Sequence, residues 1–302
     1  MQLGTILMIV TSLWFIAVIA SSAYFKRLEN KFWFWFVVGA AMFFYMFFAR
    51  QIQFVIPGFN DSWENSPTGV SLRHSRLLLL DICPFFSIFG GLALMSIKDK
   101  KLVRAAAPIA TFGGLITLYG ELFRLANQYN TDAATAWKWI FLGDGNDQIY
   151  FMLHVMTTSV GLMLICWTTN WSWKDLGHQW MFVSSYSVYV LVCINLDLKI
   201  LGNSTGLLPT DWAPGGEYQS VAKILGFKGD RYWDVVPVGI TLSMVAINLL
   251  WGIRYGLQQI YRNKIQPRMK NENKNKINFK DWYKQIKYSV LTIRSGKQKS
   301  VD

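Results

Sequence analysis

The 302-residue chain has little of what water-borne enzymes use for chemistry: three histidines, three cysteines, and 18 acids against 30 lysines and arginines. Cys83, Cys166 and Cys193 are too few for a disulfide framework, and none stands in a CxxC or another metal-ligand spacing. There is no HExxH helix, GxSxG elbow or phosphate-cradling glycine loop. Their absence removes zinc proteolysis, α/β-hydrolase chemistry and nucleotide hydrolysis from consideration. No metal and no cofactor is therefore expected. The formal charge of +12 does not point to nucleic acid, because 13 of the 30 basic residues fall between Arg254 and Asp302 beside only three acids. That charge belongs to a tail and not to a binding domain.

What the sequence does have is apolar length. Hydrophobic residues make up 52% and aromatics 16%, with 14 Trp and 21 Phe, arranged in blocks of about twenty that suit a ~30 Å hydrocarbon layer. Seven segments emerge: 2–25, 32–49, 76–97, 105–123, 148–168, 177–200 and 235–256. The expectation is an all-α membrane protein, a bundle of about seven transmembrane helices over residues 1–257, followed by a basic tail over 258–302. The first segment lacks the charged start of a signal peptide and is too long for its apolar core, so it reads as a retained span. The sixth is the weakest, because Gly177 and His178 give it a polar start.

Short basic loops set the orientation. Lys26, Arg27 and Lys31, then Lys98, Lys100, Lys101 and Arg104, then the tail, all fall on one side; in the fifth-to-sixth loop Lys174 alone agrees. Basic loops stay in the cytoplasm, which places the amino terminus outside and the tail inside. The expected location is a cell membrane crossed several times. In the tail, Phe279, Trp282, Tyr283, Ile286, Val290 and Ile293 recur at helical spacing among Lys280, Lys284 and Lys287. This reads as an amphipathic helix on anionic inner-leaflet lipid, with a disordered basic tail as the alternative. Gly90-Gly91 and Gly113-Gly114 suggest close packing between the third and fourth spans.

Topology assigns depth. Cys83 lies about seven residues into the third span, roughly 10 Å below the outer boundary at ~1.5 Å per residue, and His154 reaches almost the same depth in the fifth. Glu121 and Arg124 at the end of the fourth span, Asn195 and Asp197 near the end of the sixth and Asp234 at the start of the seventh share the outer level. Polar groups are costly in lipid, so a cluster confined to the outer third suggests a site open to the outer leaflet. A buried thiol needs a base to ionise it; His154 would supply one, and Asn195 or Asp197 would orient it. Pro84 next to the thiol would kink the helix. Asp81, two residues before Cys83, is expected on another helix face.

Each residue also has a plainer reading. A lone membrane cysteine is ordinarily a packing residue, and a lone histidine an interhelical hydrogen-bond group. Glu121 and Arg124 suit an i, i+3 pair, and Asp234 suits a helix cap. Cys193, on the same level, is an alternative thiol or a disulfide partner of Cys83.

The order of these landmarks resembles the YwaF-like integral membrane family, which includes a vertebrate ether-phospholipid acyltransferase. The likeness rests on His74, Leu78, Asp81 and Cys83 in the third segment and on Phe151 and His154 in the fifth. It continues with Asn195, Gly202, Asn203, Leu207 and Pro209 in CINLDLKILGNSTGLLP, and with DRYWDVVPVGI at 230–240. Ser204 departs from the tyrosine often found after that Gly-Asn. The resemblance implies an acyltransferase on membrane phospholipid, with Cys83 and His154 as the catalytic pair. Asn195 would orient His154, while Asp81, His74, Glu121, Arg124, Asp197, Asn203 and Asp234 line the substrate site. Two other classes stay open: a non-catalytic transporter or solute-binding bundle, and a membrane scaffold acting through its tail.

Overall fold

The computed structural model describes residues 3–25, 28–48, 79, 81–126, 140–141, 150–195, 207, 209–214, 219–228, 232–260 and 263. All regular structure among them is helical. The elements are α1 (Leu3–Ala20), α2 (Ser22–Phe25), α3 (Phe32–Met46), α4 (Ile82–Ser96), α5 (Lys100–Val103) and α6 (Ala107–Ala126). There follow α7 (Tyr150–Cys166), α8 (Trp173–Asn195), α9 (Pro209–Trp212), α10 (Gln219–Leu225) and α11 (Tyr232–Ile260). The chain divides into two compact units, Met1–Arg254 and Tyr255–Asp302. In the second, residues 255–260 and 263 are described, so the expected amphipathic tail helix lies outside the described residues.

A helix overlaps each of the seven apolar segments. Two stretches, Leu3–Ala20 and Asp234–Ile260, are long and apolar enough to cross a membrane; Phe32–Met46, Ile82–Ser96, Ala107–Phe123 and Phe151–Cys166 are apolar but shorter. Two of the boundaries that differ from the sequence expectation have a local reason. α8 begins at Trp173 rather than 177 because Ser172 and Asp175 form a capping box: the Asp175 carboxylate accepts from the Ser172 backbone N–H at 2.7 Å and from its hydroxyl at 2.8 Å. α4 begins only at Ile82, with Asp81 extended (φ −78°, ψ 140°) and Leu79 left-handed (φ 54°) before it. Pro84 accordingly sits in the first turn, where its missing N–H costs nothing, and is no mid-helix kink.

Glycines let the helices approach, though not in the pairing anticipated. A Cβ on Gly39 of α3 would lie 2.6 Å from the Gly91 carbonyl of α4, and one on Gly91 would lie 2.9 Å from the Gly39 carbonyl. Gly114 of α6 faces the Thr158 hydroxyl of α7, and Gly161 of α7 faces Thr111 of α6. Gly113 alone, against Ile82 at 2.9 Å, joins the third and fourth segments, while Gly90 meets Phe86 of its own helix. α1 lays Leu7 and Phe15 against Leu118, Leu122 and Phe151, and adds a Ser12–Tyr119 hydroxyl pair at 2.6 Å and a Trp14 to Ser159 bond at 2.8 Å.

Among the described residues, a dense polar network forms at the end carrying the basic loops. Arg104 and Asp175, 1% and 3% exposed, are bound through Nε at 2.9 Å and through Nη2 to the same carboxylate oxygen. Arg104 Nη1 also donates to the Thr168 hydroxyl (3.2 Å) and the Thr169 carbonyl (2.8 Å), and its guanidinium lies 4.5 Å from the Trp171 ring. Glu29 accepts from Thr169 N–H at 2.9 Å and from its hydroxyl at 2.6 Å. Arg254 caps the end of α7 by donating to the Ile165 and Thr168 carbonyls, both at 2.9 Å. Trp167 Nε1 reaches the Val18 carbonyl at 2.8 Å, and Trp251 Nε1 reaches the Ser172 carbonyl at 3.1 Å. Lys100 closes α4 by donating to the Leu94 and Ile97 carbonyls. The connector 167–172 is thereby tied to α1, the 28–30 turn, the start of α6, α8 and α11.

Removing one member of a buried ion pair strands the other charge, so Arg104→Ala is expected to cost about 3–5 kcal/mol of stability. The double variant Arg104→Met with Asp175→Leu should recover most of the loss; thermal unfolding in detergent reads both. Gly39→Leu should separate α3 from α4 and cost about 1–3 kcal/mol. Gly120→Ala, whose Cβ would meet nothing within 4 Å inside α6, should raise stability by about 0.4–1 kcal/mol in the same assay, because alanine gives the unfolded chain less freedom than glycine.

Candidate active site

Cys83 is placed by the start of α4 and His154 by α7. Cys83 occupies the second helical position after the Asp81 cap and is 3% exposed; His154, one turn into α7, is 5% exposed. Cys83 shares an apolar cluster with Met46, Leu79, Ile88 and Leu153, the neighbour of His154. Directly after Phe85 the helix widens into a π turn, Phe86–Gly90, before α-helix resumes at Gly91. Such a turn adds a residue to the helical cycle and re-aims the side chains after it; π turns recur at functional sites.

The two helices are joined by hydroxyls beside the thiol. Thr157, one turn beyond His154 on the same face of α7, donates to the Cys83 carbonyl at 3.4 Å and pairs with the Ser87 hydroxyl at 2.9 Å. Each hydroxyl has one hydrogen, so with Thr157 donating to the carbonyl, Ser87 donates to Thr157. On its other side α7 is held by α6: a Cβ on Gly114 would lie 3.6 Å from the His154 carbonyl. Three helices therefore converge at the level of Cys83 and His154, and small residues make the convergence possible.

The remaining candidates divide. Asp81 is half-buried as the α4 cap position and lies outside the helix, so the expectation of two opposed helix faces for Asp81 and Cys83 does not apply. Glu121 is half-buried near the end of α6; Arg124 lies in that helix with its side chain outside the described residues. Asn195 is the last residue of α8, its side chain likewise outside them, and His74, Asp197 and Asn203 fall outside the described residues altogether. Asp234 is exposed in the first turn of α11, where a carboxylate complements the helix dipole. Cys193 is buried on α8, and all three cysteines are free thiols, so no disulfide joins it to Cys83.

Sequence reading missed the Arg104, Asp175, Glu29 and Arg254 network. Arg104 registered only as loop charge. The signal available was the stretch CWTTNWSW at 166–173, where helix-ending Thr, Asn and Ser alternate with Trp. It also missed Ser87 and Thr157, which in sequence are unremarked hydroxyls in apolar helices.

Comparison with known proteins gives kinship without an activity. The chain is 35% identical over 238 residues to "Uncharacterized protein MG135" of Mycoplasma genitalium, covering 78% of this chain and 82% of that protein. It is 30% identical over 256 residues to "Uncharacterized protein MG135 homolog" of Mycoplasma pneumoniae, covering 82% and 88%. No solved structure matches. Neither the relatives' names nor the family description refers to YwaF-like proteins. A family model matches residues 9–282, most of the chain, and with these two relatives it establishes that the protein belongs to DUF5378, a family of unknown function.

Proposed function

We propose that this protein is a multi-pass membrane acyltransferase in which Cys83 takes a fatty acyl group from a phospholipid and passes it to a lipid or lipid-linked acceptor at the outer leaflet. The observation that carries the reading is the burial of Cys83 and His154 on facing helices, linked by the Thr157 bond to the Cys83 carbonyl. Support for the membrane comes from large apolar residues turned outward: Leu13 and Ile16 on α1, Trp33 and Val37 on α3, Leu249 and Ile253 on α11. Such faces suit acyl chains and are costly in water.

In the first step His154 removes the Cys83 proton and the thiolate attacks the ester carbonyl. A C–S bond forms, the ester C–O bond breaks, and His154 returns the proton to the departing lysophospholipid oxygen. In the second, His154 deprotonates the acceptor hydroxyl or amine, which attacks the thioester and releases Cys83. Asn195 at the end of α8 orients His154, and Glu121, Arg124 and Asn203 contact the headgroup. An acyl-phosphonate lipid probe should label the purified protein at Cys83. Labelling should vanish in Cys83→Ala, fall by about 10²-fold or more in His154→Ala, and persist in Cys193→Ala; equal labelling of Cys83→Ala overturns the proposal.

A second reading, a solute-binding bundle without catalysis, is favoured by one residue. Gln179 on α8 is fully buried, and neither polar atom of its side-chain amide has a partner among the described residues. An orphaned buried amide costs about 1–3 kcal/mol, so Gln179→Leu should stabilise the acyltransferase by roughly that amount with labelling intact. In the binding reading the same variant loses its ligand and any ligand-induced rise in unfolding temperature.

A further inference from the structure

α10, Gln219–Leu225, is a short helix whose two faces differ. One face is fixed: Ala222 belongs to a core cluster with Trp212, Leu207, Val235 and Val236 on one side and Tyr186 and Val190 of α8 on the other. Its end is fixed as well. Gly226, left-handed at φ 64°, donates to the Lys223 carbonyl at 3.3 Å, and Phe227 donates to the Ala222 carbonyl at 2.9 Å. These two bonds make a Schellman motif, and Phe227 packs back on the Ala222 cluster as that motif favours. The rigid end presents two adjacent large apolar side chains outward, Ile224 at 84% exposure and Leu225 at 54%.

The position of this pair identifies what covers it. Val235 and Val236, which share the core cluster of Ala222, stand in the first turns of α11, a helix long and apolar enough to cross a membrane. Tyr186 and Val190 lie in the half of α8 away from its capping box. α10 therefore sits beside the ends of two long helices, at the end of the molecule opposite the Arg104 network. Lys223 and Lys228, both exposed, flank the apolar pair. Apolar side chains bracketed by ammonium groups suit the boundary between acyl chains and anionic headgroups, where lysine stems lie along apolar surface and their charges stay in water.

We infer that α10 is an interfacial foot: Ile224 and Leu225 insert into the leaflet at the amino-terminal end of α11, with Lys223 and Lys228 at its phosphates. This rests on the membrane reading above but not on catalysis. The foot fixes the height of the α9–α10 segment over the bilayer, and with it the height of the Val235 end of α11. Burial of these two side chains adds a hydrophobic term that a loop of the same length without them would lack.

The test places an environment-sensitive fluorophore on single cysteines at Ile224→Cys, Leu225→Cys and Val245→Cys, an exposed position near the middle of the apolar stretch of α11, with the native cysteines replaced by alanine. The protein is placed in vesicles of phosphatidylcholine and phosphatidylglycerol. Nitroxide lipids labelled near the headgroup should quench positions 224 and 225 several-fold more than aqueous iodide does, and lipids labelled deep in the acyl chain should quench position 245. Iodide quenching at 224 and 225 with lipid quenching at 245 overturns the foot and leaves the membrane reading standing. Iodide quenching at all three overturns both. Should the cysteine-free chain fail to fold, photoreactive p-benzoylphenylalanine in place of Ile224 in the otherwise native chain gives the same decision. Lipid adducts are expected, and their absence overturns the inference.

Discussion

The rest of the structure depends on the buried pairing of Arg104 with Asp175. A guanidinium and a carboxylate removed from water are tolerable only when nearly every donor and lone pair is used, and here they are. Arg104 divides its donors between the carboxylate and three residues of the 167–172 connector, while Asp175 also serves the cap of its own helix. That double duty fixes the α7–α8 turn, and the turn offers its remaining groups to Glu29 and Arg254. Two acids and two bases from four parts of the chain then balance, so a charge-neutral network closes one end of the bundle.

The candidate site sits under a different regime. Around Cys83 and His154 the helices meet through a hydroxyl pair, a hydroxyl to a carbonyl, and glycines that allow backbones to approach. These bonds are individually modest, roughly 1 kcal/mol each. A π turn beside a helix start is tolerated there because close packing over-determines the backbone.

The helical content and the approximate place of each long helix were legible in the sequence, because blocks of apolar residues are a strong periodic signal. Boundaries were legible only where chemistry marks them. The Ser172–Asp175 box could have moved the start of α8, since its spacing is a known helix-start signature. The late start of α4 was harder: in HSRLLLLDICPFF the four leucines read as part of the helix, and only Asp81 and Pro84 hinted that Cys83 belongs to a first turn. Partner choice was the least legible. Gly91 meets Gly39 and Gly114 meets Thr158, pairings that depend on three-dimensional neighbours no local pattern names. The same holds for Arg104, whose partner lies 71 positions away.

The connector 167–172 ties together residues very distant in the chain, with Trp167 to Val18 across 149 positions and Thr169 to Glu29 across 140. Its last ties, Trp251 and Arg254, leave the ribosome after all its other described partners. Biosynthesis is thus forced into an order. The earlier helices must wait, with the carbonyls at the end of α7 uncapped, until the carboxyl-terminal helix arrives. A nascent chain interrupted before residue 251 would leave the Ile165, Thr168 and Ser172 carbonyls without these donors.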